Sequence, residues 1–132
     1  MKVCFATHQG VIISERHATE WRVNSKSLDS LEVTCVAANR TAIYAGTTNG
    51  VYRSADRGQT WSELNSGLSS KHTRWIACQA DRVYAGIEPA SICVLRVGES
   101  AWRECPEVAQ LRDAHQWFLP YSPEAGCIRG FA

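Results

Sequence analysis

The stretch Ser54-Ala55-Asp56-Arg57-Gly58-Gln59-Thr60-Trp61 has the pattern Ser-x-Asp-x-Gly-x-Thr-Trp, and the chain around it repeats itself. Its tryptophan recurs 40 residues earlier and 41 residues later, and glycine and alanine positions recur with the same spacing. The recurring residues are Gly10 and Gly50, Trp21, Trp61 and Trp102, and Ala45 and Ala85. A period near 40 among strand-like segments predicts a repeat architecture in which each repeat is one supersecondary unit.

The second period contains four strand-like segments. Residues 31–38 and 41–47 have the alternation and the β-branched content of strands, with the turn-prone Asn39 between them. Asn49-Gly50 predicts a hairpin that leads into a third strand at 51–54, and residues 60–64 predict a fourth. Four antiparallel strands with short turns are the unit of a β-propeller, called a blade.

The neighbouring periods repeat this unit. The first period matches it from its second strand on, and the third period matches all four strands. Helical spacing of Val108, Leu111 and His115 after Pro106 predicts a short helix at about 107–117. We therefore predict an all-β fold, a partial β-propeller of about three four-stranded antiparallel blades with one helical insertion. The predicted blades are 1–30, 31–68 and 72–105, with a helix and loop insertion at 106–124 and the start of a next blade at 125–132.

Every position of the box has a structural role. Asp56 is expected to accept hydrogen bonds from backbone amides two residues on, and Gly58 is expected to supply a positive φ. The Ser54 and Thr60 hydroxyls are expected to tie the two strands, while Trp61 packs into the core between sheets. A calcium loop needs more acidic ligands than this one aspartate. The box therefore predicts a structural turn.

This motif and its flanking strands resemble the Asp-box (BNR) repeat of β-propellers. That repeat is shared by sialidases, other glycoside hydrolases, sortilin-type receptors and photosystem II assembly factors. The whole chain resembles the N-terminal part of bacterial sialidase-like BNR-repeat proteins, most closely at 83–90 and 119–127. One of the three boxes is intact, since Arg16 stands where the first box needs Asp and the third box keeps only Gly98 and Trp102.

The bulk composition excludes several classes of function. The 132 residues carry a formal net charge of +1, without a basic cluster, which argues against nucleic acid and anionic membranes as partners. The N-terminus has no apolar signal-like run, and no apolar stretch is long enough to span a membrane. We expect a cytoplasmic protein.

The six cysteines are far apart, and five of them lie in apolar strand-like runs. They lack the close pairs of a zinc site, so we expect buried free thiols, no metal and no cofactor. His8, His17 and His72 are likewise isolated in sequence and do not have metal-ligand spacing.

Candidate functional residues lie outside the box, on loops that face the axis of a propeller. The stretch with Asp113, His115, Gln116, Trp117, Tyr121 and Glu124 interrupts the blade pattern, although packing of residues 117–119 between blades is the favoured interpretation. Glu88 and Glu124 are the weak candidates for a glycosidase carboxylate pair, and each is more simply explained as bracing a Pro-containing loop. Arg74, Arg112 and Arg129 are candidates for an arginine cluster, although scattered arginines are usually structural. The ligand-binding candidates are Arg74, Trp75, His115, Trp117, Tyr121 and Arg129.

The favoured function is a non-catalytic propeller module that acts as a scaffold or binding protein for a carbohydrate or protein ligand. The alternative is a glycoside hydrolase of the sialidase-like class whose catalytic groups are partly missing from this chain. A weaker third hypothesis is a protein similar to the assembly factors. Three blades are fewer than a closed propeller needs. Either the chain is the N-terminal part of a longer propeller, which we favour, or identical copies assemble into one ring.

Overall fold

The computed structural model of the protein describes residues 1–117 and 127–130, which form eleven strands and one helix. The first sheet consists of β1 (Lys2–Thr7), β2 (Gly10–His17) and β3 (Glu20–Ser27). The middle sheet consists of β4 (Val33–Ala38), β5 (Ile43–Thr47), β6 (Gly50–Ser54) and β7 (Ser62–Glu63). The last sheet consists of β8 (Thr73–Gln79), β9 (Arg82–Ile87), β10 (Ser91–Arg96) and β11 (Arg103–Glu104). The prediction of a mostly β fold with three antiparallel sheets and one helix is confirmed.

The same hairpin chemistry recurs in successive sheets. Gly10 and Gly50 occupy equivalent turns with φ of 110° and 114°, a conformation that favours glycine. In each turn the preceding threonine hydroxyl donates to the glycine carbonyl, Thr7 at 2.8 Å and Thr47 at 2.9 Å. The repeat seen in the sequence is therefore a repeat of local structure.

The three sheets are stacked face to face with the middle sheet between the other two. Val11 and Ile13 of the first sheet pack against Val33 and Ala45 of the middle sheet. On its opposite face the middle sheet meets the last sheet in a larger core, which includes Tyr44, Val51, Ile76, Val83 and Leu95. Because successive side chains of a strand point to opposite faces, β4, β5 and β6 of the middle sheet each contribute residues to both cores. Both faces of the middle sheet are therefore buried.

The first strands of the middle and last sheets lie side by side. Thr34 of β4 donates its hydroxyl to the backbone carbonyl of Thr73 in β8 at 2.7 Å. A Cβ placed on Gly46 of β5 would lie 2.7 Å from Thr73 Cγ2, so this crossing leaves no room for a side chain. β1, the counterpart of β5, lies beside β4 as β5 lies beside β8. The first strands of the middle and last sheets, β4 and β8, thus form one row along the stack, which we call the inner row.

The recurring tryptophans close the gaps between sheets. The Trp61 indole N–H donates to Ser27 Oγ of the first sheet at 2.8 Å, and the ring packs on the core that holds Ile13. Trp102 is 3% exposed, and its indole donates to the Leu64 carbonyl at the end of the middle sheet at 2.7 Å. Trp21 has no sheet before it among the described residues and is 46% exposed. Trp61 and Trp102 therefore each pack against the sheet before them.

The Asp-box turn is organised around one carboxylate. Asp56 accepts hydrogen bonds from the hydroxyl and the amide of Thr60, from the Ser54 hydroxyl and from the Gln59 amide. The bonds from Thr60 come first among the causes that hold the Asp56 pKa far below its ordinary value. Gly58 has φ of 89°, as expected, and its amide donates to Ser54 Oγ at 2.7 Å.

Two details of the predicted turn were wrong. The backbone donors to Asp56 lie three and four residues on, rather than two. The Ser54 and Thr60 hydroxyls bond within the turn instead of tying the strands together, because both reach the Asp56 carboxylate between them.

All six cysteines are free thiols, as expected. Cys35 and Cys93 are buried, and Cys4, Cys78, Cys105 and Cys127 are half-buried. Burial raises the pKa of the Cys78 thiol to about 11, which keeps this thiol in its poorly nucleophilic protonated form.

The predicted helix is present as α1 (Pro106–His115), with proline at its start and Gln116 at its C-cap with φ of 49°. Residues 127–130 do not form a strand, although the start of a next blade was predicted at 125–132. No strand among the described residues pairs with them, although the Ile128 amide donates to the Ile87 carbonyl at 3.4 Å. The rest of that prediction, at 125–126 and 131–132, lies outside the described residues.

Candidate functional site

A cleft of about 470 Å³ opens where the strands of the inner row meet the loops beside them. The side chains that give it chemical character come from four separate parts of the chain. They are His8 after β1, Glu32 and Thr34 at the start of β4, Arg74 and Trp75 in β8, and Arg129. Three of the six ligand-binding candidates from the sequence, Arg74, Trp75 and Arg129, therefore line one cleft.

The convergence follows from the repeat. Thr34 and Arg74 occupy equivalent places, since each follows the first residue of its inner strand. The backbone confirms this equivalence, because the carbonyls of Glu32 and His72 accept amides of equivalent turns, from Thr48 at 3.2 Å and Glu88 at 2.9 Å. Arg129 follows Ile128, which approaches Gly86 as Thr73 approaches Gly46, so Arg129 has the corresponding place beside the last sheet. Position two of the inner strand thus points its side chain to the cleft in successive repeats.

Arg74 is held in place by an ion pair. Its Nε lies 2.6 Å from Glu88 Oε2, and His72 Nδ1 lies 3.8 Å from the same oxygen. The Glu88 side chain is 12% exposed, which leaves the Arg74–Glu88 contact little screened by solvent. This ion pair fixes the position of the Arg74 guanidinium group.

The remaining walls of the cleft combine an aromatic ring with polar groups. The Trp75 side chain is 40% exposed, which is unusual for so large an apolar ring and gives a ligand access to it. His8 Nδ1 lies 3.3 Å from Glu32 Oε1 on the opposite wall. Arg129 donates its Nε–H to the Cys127 thiol sulfur at 3.2 Å. Such a surface offers two guanidinium groups and one aromatic ring to a ligand.

The other candidates that the structure describes do not line this cleft. His115 and Trp117 lie at the end of α1, both exposed, and Trp117 at 40% exposure does not plug the core as favoured from the sequence. Arg112 does not join Arg74 and Arg129, because it pairs with Asp113 at 2.7 Å and with the Ala90 carbonyl at 3.3 Å. That pairing holds the Asp113 pKa below its usual range. Tyr121 and Glu124 lie outside the described residues, and with Glu124 so does the proposed carboxylate pair.

The sequence missed His8, Glu32 and Thr34. His8 and Glu32 are isolated in the sequence, and only the packing of β1 beside β4 brings them together. A repeat alignment of the inner strands would have placed Thr34 with Arg74 and Arg129. These three residues share a position in the repeat, but a threonine and two arginines do not look alike in the sequence.

Residues 1–117 and 127–130 contain neither a metal-binding cluster nor a helix that could span a membrane. They contain no cluster of three or more His, Cys, Asp or Glu side chains arranged to hold a metal ion. Their one helix is too short and too polar to cross a membrane. Comparisons with protein families, with curated proteins and with solved structures found no match for this chain.

Proposed function

We propose that this chain is a non-catalytic β-propeller module of the Asp-box class that binds an acidic carbohydrate in the cleft of Arg74, Trp75 and Arg129. The stacked antiparallel sheets, the inner row and the tryptophan of each repeat support the propeller assignment. The convergence of two arginines and a half-exposed tryptophan in one cleft is the observation that carries the binding proposal.

The chemistry of the cleft selects an anion with a flat apolar side. A guanidinium group forms two parallel hydrogen bonds to a carboxylate, which gives geometric specificity as well as affinity. The exposed Trp75 ring offers an apolar face beside these donors, and a sugar ring has apolar C–H faces. A carbohydrate that carries a carboxylate satisfies both requirements.

The arrangement of Glu88 supports binding rather than hydrolysis. A glycosidase needs two carboxylates on opposite sides of the scissile bond. Glu88 is instead engaged by Arg74 and His72, where it orients the arginine. Its role in the proposal is therefore to position Arg74 for the ligand.

Ligand-observed NMR titration tests the proposal with N-acetylneuraminic acid and glucuronic acid as acidic probes and N-acetylglucosamine as the neutral probe. We expect the acidic sugars to bind and the neutral sugar not to bind. Arg129→Ala should weaken binding by about tenfold or more, because a hydrogen bond to a charged group contributes about 1.5–3 kcal/mol. Trp75→Ala should also weaken binding, because it removes the apolar face on which the sugar ring packs.

Matched controls come from strands outside the cleft. Arg96 is an exposed arginine outside the cleft, and Trp21 is exposed to nearly the same degree as Trp75. Arg96→Ala and Trp21→Ala should leave binding unchanged. Equal binding of the neutral sugar, or equal losses in cleft and control variants, would contradict the proposal. Turnover of a fluorogenic sialoside that disappears in Glu88→Gln would replace it with the glycoside hydrolase.

A further inference from the structure

The first sheet has an unpaired inner edge. The middle and last sheets each begin with an inner strand, β4 and β8, which pairs with the strand after it. The strand β1 is the counterpart of β5 and β9, yet within the described part of the chain it pairs only with β2. The backbone edge of β1 that corresponds to the β4 side of β5 is therefore open, and such an edge is a template for an added strand.

Residues 127–130 show the converse arrangement. They lie where the inner strand of a further sheet would lie, but the other strands of that sheet are not among the described residues. A Cβ on Gly86 would lie 2.7 Å from the side chain of Ile128, just as a Cβ on Gly46 would lie 2.7 Å from that of Thr73. Ile128 thus sits on the last sheet as Thr73 of β8 sits on the middle sheet. The segment is placed as the first strand of a further sheet, but no described strand pairs with it.

The outer face of the first sheet is also open and apolar. Phe5 is 48% exposed, Trp21 46% and Val23 58%. The repeat places Phe5 and Trp21 in register with Ala45 and Trp61, which face the sheet before them in the stack. The outer face of the first sheet therefore corresponds to the face of the middle sheet that packs on the first sheet, but it has no described sheet against it.

We propose that residues 127–130 of a second copy of this chain add to the open edge of β1 and complete the first sheet as its fourth strand. The same addition brings the outer face of the first sheet against the last sheet of that copy. Each copy has one edge to be completed and one segment that completes an edge. The contact is heterologous, so reciprocal exchange between two copies closes a ring in which every sheet has its inner strand.

The register of the added strand follows from the two sheets that are complete. Val33 and Thr73 lie opposite Thr47 and Ile87 in their sheets. Cys35 and Trp75 lie opposite Gly46 and Gly86. By the same pairing Ile128 lies opposite Thr7 of the second copy, and Gly130 lies opposite Ala6.

Light scattering on the purified chain tests the assembly. We expect a discrete dimer that persists on dilution into the low micromolar range. Phe5→Lys should raise the dimer dissociation constant by more than about tenfold, because it places a charge in the centre of the interface. Leu111→Lys is the matched control, since Leu111 on α1 is 47% exposed and should leave the dimer intact. A monomer at every concentration, or polydisperse aggregates, would overturn the proposal.

Disulfide trapping tests the register without disturbing the interface. Chains with Ala6→Cys are mixed with ¹⁵N-labelled chains with Gly130→Cys, and a Cβ at Gly130 meets no atom within 4 Å. Mass spectrometry should find a disulfide that joins a labelled peptide to an unlabelled one. Ser100→Cys in place of Gly130→Cys should not give this product. A dimer without the 6–130 cross-link would mean that another surface joins the copies, or that the chain's own continuation fills the edge.

The two proposals fail separately. Sugar binding is measured on each copy's cleft, whereas the assembly is measured by mass and cross-linking without ligand. A monomer that binds acidic sugars would overturn only the strand addition, and a dimer that binds none would overturn only the proposed function.

Discussion

At the scale of single residues, Asp56 shows how an exposed carboxylate can organise a turn. Its oxygens accept hydrogen bonds from the hydroxyls of Ser54 and Thr60 and from the amides of Gln59 and Thr60. These groups would otherwise bond to water. These bonds favour the charged form of the carboxylate, which is why its pKa is lowered. The energetic role of Asp56 is therefore tied to its ionisation.

We expect Asp56→Asn to lower the Tm at neutral pH, because one amide oxygen replaces two charged acceptors. A lowered folded-state pKa stabilises the fold above the unfolded pKa, about 4, and that stabilisation is lost as the pH falls further. The difference in Tm between wild type and Asp56→Asn should therefore shrink below about pH 4. Thermal unfolding by circular dichroism from pH 7 to pH 2.5 measures it.

Asp29→Asn is the control for this series, since Asp29 is exposed and its side chain has no hydrogen bond in the described structure. It should leave the Tm nearly unchanged over the same pH range. A difference for Asp56→Asn that stays constant down to pH 2.5 would show that the carboxylate charge does not matter.

At the same scale, the chemistry of the box was predictable because it is local. Gly58 and Asp56 act on residues within four positions of themselves, so type and spacing were enough to predict the turn. The cleft was not predictable to the same depth. His8 and Glu32 meet through strand packing, and the contact of Arg74 with Glu88 spans a hairpin whose length the motif does not specify.

At the scale of elements, the three tryptophans are one position in three environments. Trp102 is buried between the middle and last sheets, Trp61 is half-buried between the first and middle sheets, and Trp21 is exposed. Trp61 and Trp102 each stand directly before a two-residue outer strand, whereas Trp21 lies within β3. The comparison of Trp61 with Trp102 therefore isolates what lies on the other side of each ring.

We expect Trp102→Ala to cost about 3–5 kcal/mol of unfolding free energy, the usual range for a buried aromatic residue. Trp61→Ala should cost less, and Trp21→Ala should stay within about 0.5 kcal/mol. Urea denaturation measures all three, in the Phe5→Lys background so that assembly does not bury Trp21. Equal costs at the three positions would mean that the rings do not close inter-sheet gaps.

The strands were predicted well where alternation and turn signals agreed. Residues 41–47 and 51–54 were predicted as strands and form β5 and β6, because Asn49-Gly50 defines the hairpin between them. The outer strand predicted at 60–64 is shorter, since β7 covers only Ser62–Glu63. Residues 127–130 have the pattern of an inner strand, but no strand of the described residues pairs with them, and a strand exists only where an adjacent backbone can pair with it.

At the scale of the whole molecule, burial is distributed unevenly along the stack. The middle sheet is covered on both faces, and four of the five residues of β5 are buried. By contrast, β3 at the outer edge of the first sheet has no buried residue. Local stability follows the density of buried contacts, so it should vary between sheets.

We expect hydrogen exchange to be slowest in β5 and fastest, among the long strands, in β3. Peptide-level deuterium uptake measured by mass spectrometry distinguishes them, since Ile43–Thr47 and Glu20–Ser27 fall in different parts of the chain. The comparison is made in the Phe5→Lys background, so that assembly does not cover Trp21 and Val23 of β3. Uniform protection across the three sheets would indicate a single cooperative unit in place of this gradient.

The position of the tryptophans also sets where the chain can be divided. Trp61 bonds to Ser27, 34 residues before it, and Trp102 bonds to Leu64, 38 residues before it. Each tryptophan therefore covers the repeat before its own. A fragment that ends at a repeat boundary keeps its strands but lacks the tryptophan that packs on them, whereas a fragment that ends after the next tryptophan includes it.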